Sequence, residues 1–142
     1  MSGESTKQRV LSALEADAQA SYGEIASLAG VSKPTVRKYI NELEEEGVIV
    51  GYSADVDPKK LSTVSIALVG IDAESEQYVA VTDALKDLDT VESLYSSSGD
   101  HMLLAEVRGS DGSRVSEVIR EDILSIDGVT AAHPCFLQER LK

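Results

Sequence analysis

Gly30 constrains this chain more than any other residue. It stands between two stretches of helical periodicity, where a glycine permits the left-handed backbone that ends one helix and opens a tight turn. Before it, Tyr22 to Ala29 reads as a short helix with Ile25, Ala26 and Ala29 inward. Ser21 is its expected N-cap, and Glu24 lies at the capping-box distance. After it, Val31 can plug the turn and Ser32 caps a longer helix. Pro34 occupies the first turn of that helix, where a missing N–H costs little. Gly47 ends it behind Glu44, Glu45 and Glu46. An earlier helix, about Thr6 to Ala16, carries Val10, Leu11 and Leu14 at helical spacing. Short helix, glycine-containing turn, longer helix is the pattern of a helix-turn-helix.

The third helix divides cleanly into two faces. Val36, Tyr39, Ile40 and Leu43 recur at i, i+3, i+4, i+7 and form a buried stripe. Pro34, Arg37, Lys38 and Asn41 then point outward, flanked by Lys33 and Thr35. These are side chains a major groove accepts: Arg or Lys for guanine or phosphate, Asn for adenine, Thr for a thymine methyl. The other reading of the same face is a solvated surface on an ordinary helical bundle. Val48, Ile49 and Val50 read as a strand after this helix, the element that makes a winged helix, and Asp57-Pro58 as a turn.

Charge sharpens the choice. Acids outnumber bases by 25 to 13, a formal net charge of −12 that excludes a polybasic nucleic-acid binder. The acids are spread along the chain, which argues against a disordered acidic tail. They either solvate an ordinary surface or adapt the protein to a very salty cytoplasm, where the Debye length is only about 3 Å at molar salt. Yet Ile25 to Asn41 holds Lys33, Arg37 and Lys38 and no acid at all. No apolar run reaches the roughly 20 residues of a membrane span. The opening MSGESTKQR lacks the apolar stretch of a secretory signal, so a cytoplasmic location and no membrane partner are expected. A single cysteine, Cys135, excludes a disulfide framework and a multi-cysteine zinc site.

From Val64 the periodicity changes. Val64 to Ile71 is a continuous apolar strand, expected to be central and covered on both faces. Tyr78, Val81, Leu85 and Leu88 mark a helix from about Glu76 to Leu88. Strands follow at Val91–Ser96 and Met102–Val107, joined through Ser97, Ser98, Gly99 and Asp100. Val115, Val118, Ile119, Ile123 and Ile126 mark a second helix ended by Gly128, and Val129 to Leu137 reads as the last strand. The order β-α-β-β-α-β is that of a ferredoxin-like domain. The expected organisation is therefore α+β: a winged helix-turn-helix over 1–50, a connector over 51–63 and a ferredoxin-like domain over 64–142. So small a sheet domain suggests pairing with a second copy.

Both halves together resemble the Lrp/AsnC (feast/famine) transcription regulators, and the acid content suggests a haloarchaeal member. The resemblance is carried by SYGEIASLAGVSKPTVRKYINELEEEGVIVGYSADVDPKKL (21–61), by SGDHMLLAEVRG (98–109) and by LSIDGV (124–129). It implies a homodimer built through the C-terminal sheets, often extended to tetramers or octamers, that binds double-stranded DNA at promoters. Lys33 and Thr35 would hold phosphates while Arg37, Lys38 and Asn41 read bases. Many members respond to an amino acid, and the family's effector position maps onto Ser98, Gly99, Asp100, His101 and Met102. Here that turn lacks the acid that the family carries after an aromatic residue. On the last strand, Pro134 stands where the family has Thr.

Three other functions compete. His133 and Cys135 share one face of a strand, and with His101 and Met102 they would suit a soft metal in a metal-responsive regulator. Against it, Cys135 can be a small buried hydrophobe and Met102 core filler; no metal ligand or cofactor is assigned. Proteins of this two-domain shape also resemble sirohaem decarboxylases. Only His101 and His133 are available for that chemistry, and no catalytic set or phosphate-binding motif appears. An architectural DNA binder without sequence preference would need many phosphate contacts, which one short basic patch does not supply.

Overall fold

A computed structural model of the protein describes residues 5–142. It divides into two compact units, the first running to Asp55 and the second spanning Val56–Lys142. The break falls inside the stretch expected as a connector.

The first unit holds three helices: α1 (Thr6–Ala16), α2 (Tyr22–Ala29) and α3 (Lys33–Glu45). Serine hydroxyls set all three starts. Ser5 caps α1 and Ser21 caps α2, each in a reciprocal capping box, with Gln8 and Glu24 respectively. Ser32 caps α3 by accepting the Thr35 N–H. Gly30 adopts the left-handed conformation at φ 71° that the turn demands. Val10, Ile25, Ala29, Val36 and Ile40 form the core of the unit, with Val31, Tyr39 and Ile49 packed against it. The strand expected at Val48–Val50 is not formed. The N–H groups of Val48 and Ile49 both turn back to the Leu43 carbonyl, so they close α3 instead of pairing with a strand. Val50, 95% exposed, then leaves the unit's core altogether.

The second unit is a four-stranded antiparallel sheet with helices on one face. Its elements are β1 (Ser65–Ala73), α4 (Tyr78–Lys86), β2 (Val91–Ser96), β3 (Leu103–Gly109), α5 (Gly112–Glu117) and β4 (Val129–Phe136). The spatial order β2-β3-β1-β4 with β-α-β-β-α-β connectivity is ferredoxin-like. After Glu117 the helix widens into a π-helical turn over Val118–Ile123, closed by a bond from the Leu124 N–H to the Ile119 carbonyl. That turn keeps Val118, Ile119 and Ile123 all buried. They meet Val81 and Leu85 of α4 over Ala67, Val69 and Ile71 of β1 and Leu103, Ala105 and Val107 of β3.

Strand alternation sends Leu68, Gly70 and Asp72 of β1 to the opposite face. The expectation that β1 is covered on both faces therefore fails within the chain: β1 is central, but Leu68 is 44% exposed on the face without helices. Cross-strand pairing aligns Tyr95, Leu104, Gly70 and His133 in one row of that open face. Pro134 lies on β4, an edge strand. The Leu137 N–H donates to the Ile66 carbonyl, so alternate residues face β1 and the ring nitrogen of Pro134 faces outward, where no ladder bond is lost.

Candidate functional site

The outward face of α3 is assembled by its inward one. Val36, Ile40 and Leu43 are buried, and the Tyr39 hydroxyl lies 3.2 Å from Thr6 Oγ1, which fixes the rotation of the helix about its axis. Pro34, Arg37, Lys38 and Asn41 consequently line one open depression together with Lys33, with Tyr22 of α2 and, at its far end, with Glu42 and Glu45. Among the described residues no ion pair engages Lys33, Arg37 or Lys38, so their charges remain available to a ligand. Thr35 is committed differently: its hydroxyl lies 2.8 Å from Ser32 Oγ, within the cap itself.

Two residues of α2 belong to this face although their sequence context gave no sign of it. The Arg37 guanidinium carbon lies 5.5 Å from the centroid of the Tyr22 ring, a cation–π contact that limits where the side chain can swing. Gly23 leaves room for the stem of Lys33, whose Cε lies 3.1 Å from where a β-carbon would stand. Acidic residues follow at the far end of the helix, and two of them are already partnered. Lys7 reaches Glu42 at 3.0 Å and Glu46 at 2.9 Å, and these bonds raise the pKa of its ammonium group. The repulsion that these acids would exert on a phosphate backbone is thereby reduced.

The second group of residues lies around the turn between β2 and β3. Ser98, Gly99 and Asp100 form its exposed tip, and the Ser97 N–H closes it by donating to the Met102 carbonyl. His101 folds back over Gly70, its ring occupying the space a β-carbon would need. Its Nδ1 lies 3.0 Å from Asp72 Oδ2, and the Met102 N–H donates to Asp72 Oδ1 at 3.1 Å. The bond to His101, then the one to Met102, lowers the pKa of the Asp72 carboxyl. The His133 ring stacks on His101 with centroids 4.9 Å apart.

Of the five effector positions expected from sequence, three are thus at the tip and two at its base. Met102 packs its side chain against the helix-side core. Cys135 is exposed two residues further along β4 from His133, opposite Leu68. The soft-metal set His101, Met102, His133 and Cys135 is therefore not assembled as expected. Asp72, which follows directly on an apolar run in the sequence, joins the two histidines instead.

Comparison with known proteins agrees with both halves. Residues 4–50 match the winged helix-turn-helix DNA-binding family, and residues 66–142 match the Lrp/AsnC ligand binding domain. The chain is 70% identical over 142 residues to the HTH-type transcriptional regulator LrpA1 of Halobacterium salinarum, covering 100% of both chains. Its acid-rich composition fits that halobacterial relative. Among solved structures, the leucine response regulatory protein of Mycobacterium tuberculosis superposes with a TM-score of 0.78 at 23% identity, covering 99% of this chain and 95% of that one. A transcriptional regulator of Neisseria meningitidis in complex with L-Met superposes at 0.73 and 17% identity, covering 99% and 93%. These two likenesses concern the fold. With a DNA-binding half, a ligand-binding half and a near relative that is a regulator throughout its length, this chain is no enzyme: it belongs to the Lrp/AsnC family of transcriptional regulators.

Proposed function

We propose that the protein is a sequence-specific regulator that binds operator DNA as a homodimer and answers to a small effector of the amino-acid class. One observation carries the DNA reading: a cluster of cations on α3, none of them ion-paired among the described residues, in a chain of net charge −12. In this reading two copies of α3 enter successive major grooves, about 10 bp apart or a multiple of that. Lys33 contacts phosphates, as does Thr35 through the hydrogen-bonding capacity its hydroxyl retains beside Ser32, and Arg37, Lys38 and Asn41 contact base edges. Electrostatic attraction over a whole surface is unavailable to so acidic a protein in concentrated salt, so short-range base contacts supply the affinity.

Pairing of copies is supported by the open sheet face, where Tyr95, Leu68 and Leu104 are exposed large hydrophobic residues. The effector is assigned to the turn of Ser98, Gly99, Asp100, His101 and Met102. Its amino-acid class is suggested by the L-Met complex of the Neisseria regulator. No helix among the described residues is long and apolar enough to cross a membrane, consistent with action in the cytoplasm.

Binding-site selection in molar KCl tests the reading. A shared half-site motif is expected, and Arg37→Ala should weaken specific binding by about 1–3 kcal/mol and relax one position of that motif. Specific binding that Arg37→Ala leaves unchanged places the recognition face elsewhere.

A further inference from the structure

We propose that Asp72, His101 and His133 form a binding site for a divalent late first-row transition ion of the zinc type. The assignment does not rest on the DNA-binding reading or on the effector reading, because it concerns the affinity of the chain itself for a metal.

The sequence contains two histidines, and the fold brings both to one carboxylate. One donor atom from each of the three residues lies within 4.8 Å of the other two. Donors on a tetrahedral ion with bonds of about 2.1 Å sit roughly 3.4 Å apart, so modest side-chain rotation closes the set. Two imidazoles and a carboxylate suit Zn²⁺, Co²⁺ or Ni²⁺. Magnesium and calcium prefer all-oxygen shells, and Cu(I) prefers sulfur.

Three features of the backbone serve this cluster. Gly70 stands in the middle of a central strand, where glycine weakens pairing, and its bare Cα is what admits the His101 ring. The pairing of β1 with β4 slips between Asp72 and Ala73, a bulge of the kind that re-aims a side chain beside a site. The Met102 N–H holds one oxygen of Asp72, which leaves the other directed at His101. A carboxylate fixed in this way by a backbone donor is oriented before any ion arrives. His133 completes the arrangement from β4 as a side chain exposed in the single chain, on the face proposed to meet a second copy, so the remaining coordination positions fall to water or to that copy.

The test uses the full chain, stripped of metal with EDTA and returned to molar KCl at neutral pH. Co²⁺ is titrated in and followed by visible d–d absorption and by calorimetry. One Co²⁺ per chain is expected, displaced by Zn²⁺ but not by Mg²⁺. His133→Ala, at an exposed position that the core does not need, should weaken Co²⁺ binding at least about 10-fold, as should His101→Ala and Asp72→Asn. Cys135→Ser should leave the titration unchanged. Circular dichroism identifies any variant that fails to fold, and His133→Gln then replaces it. Absence of saturable Co²⁺ uptake by the unmodified chain overturns the site, as does uptake that survives both histidine substitutions. Loss of uptake on Cys135→Ser, or displacement of Co²⁺ by Mg²⁺, overturns this donor set.

Discussion

The two units place their candidate functional groups in opposite ways. On α3 the cations of Lys33, Arg37 and Lys38 point outward from one continuous helix and have no ion-pair partners among the described residues. Around the β2–β3 turn, Asp72, His101 and His133 come from three separate stretches of chain and already engage one another. A surface that reads a long polymer needs polar groups left unsatisfied until the polymer arrives. A pocket for a small ligand needs groups that converge, and convergence requires long-range pairing. The first arrangement is local and survives damage to distant contacts; the second depends on the register of a sheet.

The largest effects should separate the units by their cores. Ile25 and Ile71 are both fully buried, and replacing either with Ala should cost about 2–5 kcal/mol of stability in chemical denaturation. Ile71→Ala should also disturb the His101 and His133 resonances, because its neighbours Gly70 and Asp72 seat and bond the His101 ring. Ile25→Ala should leave those resonances in place; equal disturbance by both would contradict the division into separate sites.

Capping comes next. Ser32→Ala removes the acceptor for the Thr35 N–H and should lower stability by about 1 kcal/mol, read as a shift in thermal midpoint. A smaller effect is expected at Tyr22, whose ring braces Arg37. Tyr22→Leu should weaken specific DNA binding by about 0.5–1 kcal/mol in a gel-shift titration without altering stability. Full retention of affinity would show that the brace does not matter to recognition.

The smallest effect concerns pH. Asp57 accepts the backbone N–H of Arg140, then that of Lys59, and these bonds hold its carboxyl below the ordinary aspartate pKa. A carboxyl depressed in the folded state stabilises the protein above its unfolded pKa, and the contribution disappears as pH falls through the folded value. Acid unfolding of Asp57→Ala should therefore show a shallower acid limb than the unmodified chain. Parallel limbs would remove Asp57 from the account.

What could be read in advance follows the same division. The limits of α1 and α2 agree with the sequence reading residue for residue, because Ser21 with Glu24 and Gly30 are signals contained within a few residues. The β-α-β-β-α-β order was also legible from alternation and helical spacing. Val48–Val50 has strand propensity, but propensity does not supply a pairing partner, and the Leu43 carbonyl takes the Val48 and Ile49 N–H groups. On the open sheet face, the spacing of His133 and Cys135 correctly gave a shared side of β4. The partner that matters to His133, however, reaches it from the turn before β3, and Asp72 belongs to β1. No window along the chain contains those three residues, so only the register of the sheet could reveal them. Tyr22 escaped notice for a similar reason: its role depends on how closely α2 lies beside α3.

Pro134 has a consequence beyond its own strand. A four-stranded sheet with two free margins is a template on which further strands can stack without limit, the route by which sheet proteins become fibres. At the β4 margin, a proline nitrogen facing outward cannot donate to an incoming strand, so growth in that direction would leave an acceptor unanswered. In the proposed homodimer this leaves the open sheet face, not the β4 margin, as the surface for contact, and two faces that cover each other would close the assembly at a defined number.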